Sequence, residues 1–133
     1  MQWQIPRGAE IFLGAPAVPM DSRRVQALRD VVSRMAAVEE AHLPQCFIIG
    51  VTPKPAKVLV VIGHTLKAVQ RELDGVADEL NNLVGGSEQL AVWPLAMSDD
   101  MVEAVREANC QLFARFPGKH EIAAQRIRRT RRR

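Results

Sequence analysis

The order of apolar and polar positions divides the chain into short strands separated by amphipathic helices. Glu10-Ile11-Phe12-Leu13 is a short apolar run closed by Gly14 and Pro16, the pattern of a buried strand that ends in a loop. Val25, Leu28, Val32 and Met35 then recur at helical spacing, with Arg23, Arg24, Arg29, Asp30 and Arg34 on the remaining faces, so a helix of about four turns is predicted. Asp21 or Ser22 can offer a side-chain oxygen to the free amides of its first turn. Residues 38–50 predict one strand interrupted at Pro44, because proline has no amide N–H to give to a ladder. After the turn Thr52-Pro53-Lys54-Pro55, residues 57–63 hold five consecutive branched aliphatics, Val58 to Ile62. Without polar alternation such a strand is buried on both faces, and it pairs antiparallel with the run before it.

The clearest period follows. Leu66, Val69, Leu73, Val76, Leu80 and Leu83 are separated by steps of three and four, which predicts a helix of about five turns that Gly85-Gly86 ends. Residues 89–96 alternate weakly and predict a fourth strand, with Trp93 half-buried in it. Ser98-Asp99 can cap a short helix bearing Met101, Val102 and Val105, and Leu112, Phe113 and Phe116 form a docking segment before Pro117-Gly118.

These elements predict an α+β fold: a βαββαβ ferredoxin-like antiparallel sheet with its helices on one face, an extra C-terminal helix and a basic tail. Residues 1–117 form the single domain and 118–133 the arginine-rich tail, read as disordered or partly helical. A sheet covered on one face leaves the other open, so Phe47, Ile49, Leu59 and Val61 are expected to form an interface for a protein partner or a second copy of the chain.

Composition agrees with one folded unit. The chain has 133 residues, 47% hydrophobic and 25% charged, the proportions of a globular domain. No stretch approaches 18 uncharged apolar residues, so no membrane span is expected, and Pro16, Pro19 and Glu10 argue against a signal peptide. The formal charge is +3, yet the segment from Gly118 onward carries Lys119, Arg126, Arg128, Arg129, Arg131, Arg132 and Arg133 against Glu121 alone. Residues 1–117 are therefore net acidic at −3, and the basic character belongs to the tail. Seven cations so close together can neutralise phosphates, which offers weak nucleic-acid contact as an alternative function.

Reactive groups are scattered. Cys46 and Cys110 read as reduced, isolated thiols, and cytoplasmic localisation is expected. His42, His64 and His120 lack the spacing that would bring two imidazoles to one metal. The pairs Glu39-Glu40 and Asp99-Asp100 read as solvated turns and a helix start, and His42 as a surface strand residue. His64, where a strand meets a helix, is the one position at which a small enzyme pocket is considered. No catalytic, cofactor-binding or metal-binding residue is assigned.

Several local phrases resemble the C-terminal domain of the SseB family, the bacterial enhanced serine sensitivity proteins. They are Arg7-Gly8 ahead of a short strand, Leu13-Gly14-Ala15-Pro16 with Pro19 before a helix, and Val38-Glu39-Glu40-Ala41-His42-Leu43 entering the next strand. The similarity continues through the strand Val58 to Ile62, the long helix, Leu90 to Val92 and Phe113, and covers roughly residues 7–116. It implies a non-catalytic bacterial cytoplasmic protein linked to serine tolerance, and it transfers no catalytic residue.

Overall fold

A computed structural model describes residues 8, 10–16, 20–52, 54–83 and 90–115. Six strands and four helices follow one another as β1 (Ile11–Gly14), α1 (Ser22–Ser33), β2 (Val38–His42), β3 (Gln45–Ile48), β4 (Ala56–Gly63), α2 (Leu66–Gly75), α3 (Ala77–Leu83), β5 (Ala91–Ala96), α4 (Met101–Glu107) and β6 (Gln111–Ala114). The fold is α+β, with a six-stranded, mostly antiparallel sheet.

The organising strand is β4. Val58, Leu59, Val60, Val61 and Ile62 are all completely buried, as an unbroken aliphatic run requires. Leu59 and Val61 face a core shared with α1, α2 and α3, whereas Val58, Val60 and Ile62 face a second core shared with Val102 and Val105 of α4.

Along one edge of β4, β2 and β3 act as two halves of a single strand. His42 lies opposite Val60, and beyond the break Gln45 lies opposite Lys57 in unchanged antiparallel register. Pro44 sits at the break, and its carbonyl still accepts from the Val58 amide at 3.0 Å. The sequence reading of one strand interrupted at Pro44 is thus correct. On the outer side of this broken strand, β1 pairs with β3 and β6 pairs with β2, both antiparallel. The opposite edge of β4 carries β5, in parallel.

That arrangement differs from the ferredoxin-like order. In the ferredoxin-like order the first strand lies beside the third, but here β1 lies beyond β3 and the place next to β4 belongs to β5. The chain leaves β4, crosses through α2 and α3, and returns to β4's own free edge, the short connection that parallel neighbours favour. Leu13, opposite Cys46 on the β3 ladder, and Ile11 pack on the core that holds Cys46 and Ile48.

Three further elements depart from the sequence reading. The helices occupy both faces, since α4 buries Val102 and Val105 against the side of the sheet away from α1 to α3. The expected five-turn helix is two helices: Val76, with φ −116° and ψ 13°, interrupts it after Gly75 and donates its amide to Leu73 three residues back. Glycine weakens the helix there, and the break lets Leu80 join the α1 core while Leu66 stays half-exposed. Residues 111–114, read as a docking segment, form the sixth strand, with Leu112 buried. The expected stop at Gly85-Gly86, Phe116 and the segment 118–133 lie outside the described residues. Among the described residues no helix is long and apolar enough to cross a membrane.

Candidate functional site

Two places concentrate chemistry or exposed apolar surface. The first is a buried polar cluster on the α4 side of the sheet. A register shift between Val38 and Glu40 leaves Val38 and Ala41 with the helical core and brings Glu40 opposite Ile62 and His42 opposite Val60, on the other face. Both residues are buried, Glu40 at 3% and His42 at 1% exposure. The next element over that face is α4, which delivers Arg106. Its Nε donates to Glu40 Oε1 at 2.9 Å and a terminal nitrogen donates to Oε2 at 2.8 Å, a two-pronged grip. His42 Nε2 lies 2.9 Å from Glu40 Oε1, and the same guanidinium reaches Met97 Sδ at 3.3 Å.

Burial alone would raise the Glu40 pKa. The hydrogen bonds from Arg106 and His42 outweigh it and hold the carboxyl down at about 2. Glu40 correspondingly raises the Arg106 pKa. His42 Nδ1 is buried without a hydrogen-bond partner. The set is a fixed anion clamped by a fixed cation beneath α4, an arrangement that stitches the helix to the sheet.

Sequence reading placed Glu40 on a solvated turn and His42 at the surface. The signal that could have found them is the i, i+2 spacing, which puts both on one strand face, together with a lone arginine among the apolar residues of the α4 pattern.

The second place is the outer end of the sheet. β1 pairs with β3 alone among the described strands, which makes it an edge strand among them. Phe12 is 54% exposed and lies directly opposite Phe47, their ring centroids 6.5 Å apart, and Ile49 beyond them is 51% exposed. The expected interface is therefore divided. Phe47 and Ile49 belong to this outer patch, whereas Leu59 and Val61 are completely buried beneath the chain's own helices.

Other sequence candidates stand apart. His64 is largely exposed, with Nε2 3.2 Å from Glu39 Oε1, and Thr65 rather than His64 caps α2, its Oγ1 accepting from the Ala68 amide at 3.2 Å. Asp21 makes no side-chain cap to α1, whereas Asp99 Oδ1 accepts from the Met101 amide at 2.9 Å and starts α4. Both cysteines are free. Burial pushes the Cys46 thiol up to about 11 and raises that of Cys110, which lowers their reactivity. Among the described residues no group of three histidine, cysteine or acidic side chains is placed to hold a metal ion. Lys119, Arg126, Arg128, Arg129, Arg131, Arg132 and Arg133 lie outside the described residues.

Compared with known proteins, the chain matches no family model, no curated protein and no solved structure.

Proposed function

We propose that this chain is a non-catalytic, cytoplasmic accessory protein of the SseB-like kind, which works by pairing a polypeptide with the outer edge of β1. The observation that carries the reading is an exposed aromatic, Phe12, on an edge strand, flanked by Phe47 and Ile49. Main-chain groups on such an edge give affinity, and side chains on alternate positions give selectivity. The occupant is a second copy of the chain. An antiparallel β1–β1 ladder centred on Phe12 sets Ile11 of one copy opposite Leu13 of the other and puts both Phe12 rings on one face. The two apolar patches then merge across a two-fold axis.

Support for a binding role also comes from the chemistry. The ionic cluster Glu40–His42–Arg106 is closed over by α4 and used in packing. Sedimentation equilibrium tests the proposal: a concentration-dependent dimer is expected, and Phe12→Lys is expected to shift it to monomer without lowering the melting temperature. A wild-type chain that stays monomeric to millimolar concentration overturns the reading.

A further inference from the structure

Among the described strands the sheet has outer edges at β1, β6 and β5. Backbone groups alternate between the two sides of a strand, so a residue bonded inward places the next one outward. The Arg115 amide donates to the Glu39 carbonyl of β2 at 2.8 Å, and this alternation turns the Leu112 carbonyl to the outer side of β6. Arg29 takes that carbonyl, its Nε donating to it from α1 at 2.9 Å. The guanidinium is held in place along the helix, because a terminal nitrogen donates to Gln26 Oε1 at 3.0 Å and Gln26 Nε2 donates to Asp30 Oδ1 at 3.1 Å. Arg29 is exposed, so a strand arriving on β6 meets an occupied carbonyl and a solvated charge that it must strip of water.

The edge of β5 is closed by other means. The Met97 amide donates to the Gly63 carbonyl at the end of β4 at 2.7 Å, so alternation turns the backbone nitrogen of Pro94 outward. The ladder to β4 passes through Val61 and Pro94 without a register shift, and the missing N–H falls on the outer edge. β1 carries neither device. Ile11-Phe12-Leu13-Gly14 holds no charge and no proline, and the Ile49 amide, donating to the Glu10 carbonyl at 3.2 Å, leaves the amides and carbonyls of Ile11 and Leu13 directed outward.

We infer that Arg29 and Pro94 are edge guards that confine self-association to β1 and stop it at two chains. The inference rests on the pairing of β1 with a second copy proposed above. Each copy then offers one usable edge. In a two-fold β1–β1 ladder Ile11 and Leu13 exchange their hydrogen bonds with Leu13 and Ile11 of the other copy, so both edges are used and the assembly closes. With a guard removed, a further edge remains on each side of the dimer and pairing continues into larger assemblies.

Sedimentation equilibrium of the full chain, with a thermal melt of each variant, is the test. Arg29→Met keeps an apolar stem against the seam and removes the donors, and is expected to raise the weight-average mass from two chains to about four or more. Arg29→Lys, which keeps the charge and a donor, is expected to stay at two. Pro94→Val restores an N–H on β5 and is expected to raise the mass as well, so it carries the test if Arg29→Met loses its cooperative melt. Arg29→Met in the Phe12→Lys background separates the two readings, because association that persists there runs through β6. A monomeric wild type beside an associating Arg29→Met overturns the pairing through β1 and leaves Arg29 as the guard of β6. Wild-type mass in every variant that keeps its cooperative melt overturns the guards and leaves the pairing through β1 untouched.

Discussion

Arg106 on α4 and Glu40 on β2, 66 positions apart in the chain, meet through two parallel hydrogen bonds of 2.9 and 2.8 Å beneath the helix. The carboxylate is sealed from water while the guanidinium remains partly accessible. A buried ion pair is weak evidence for net stability, because both charges were solvated before folding. Removing one partner is another matter. Arg106→Met leaves Glu40 charged, buried and supported by His42 alone, and is expected to cost about 3–5 kcal/mol in urea unfolding. The double variant Glu40→Leu with Arg106→Met removes the uncompensated charge and is expected to recover much of that loss. A single-variant cost below about 1 kcal/mol would show that the grip does not hold α4.

The same pair fixes how the protein responds to acid. Glu40 has its folded pKa lowered to about 2, below the ordinary carboxylate value, so the folded state binds its proton less readily than the unfolded state. Its contribution is complete above about pH 4.5 and is lost as pH falls toward 2. Stability of the wild type is expected to decline over that window, by up to about 3 kcal/mol from this group. Glu40→Gln is expected to flatten the decline. Thermal melts between pH 2 and 6 measure both, and identical pH slopes would separate Glu40 from the acid response.

Gly63 closes β4 where no side chain fits. A Cβ there would collide with the Ala37 carbonyl oxygen and with Cγ2 of Val69, and the carbonyl belongs to backbone that cannot swing aside. The Ala37 amide is itself held by both carboxylate oxygens of Glu72 at 3.1 Å. Gly63→Ala is expected to destabilise by about 2 kcal/mol or more, an overpacking cost. A melting temperature within a degree of wild type would contradict that geometry.

Asn109 turns the chain from α4 into β6 with φ of +57°, the left-handed region that asparagine tolerates better than most residues and glycine best. Asn109→Gly is expected to be neutral or slightly stabilising, and Asn109→Val to cost about 1–2 kcal/mol. Chemical denaturation of the two variants checks the ordering, and equal stability of both would exclude strain at this turn.

Much of this molecule was legible in its residues. Five branched aliphatics in a row required a strand buried on both sides, and Val58 to Ile62 are that strand. The spacing of Val25, Leu28 and Val32 required an amphipathic helix, and a proline without an N–H required an interruption at Pro44, where β2 gives way to β3. Local pattern fixes such features because each depends on neighbours a few residues away.

Tertiary structure decided the rest, because it concerns partners far apart in the chain. Hydrophobic period made Leu66 to Leu83 look like one helix, and its division at Val76, after a glycine that weakens the helix, goes with the place of Leu80 in the core beneath α1. An aliphatic strand does not state which neighbour takes each edge. The parallel return through α2 and α3 gave that place to β5 and sent β1 outward, where Phe12 stands exposed. Glu40 and His42 looked solvated because a charge reads as exposed until its counter-charge is known, and Arg106 arrives on α4, with three strands and two helices between it and β2. Short-range spacing determined what each segment is, whereas the pairing of distant edges and charges determined which faces the molecule hides and which it shows.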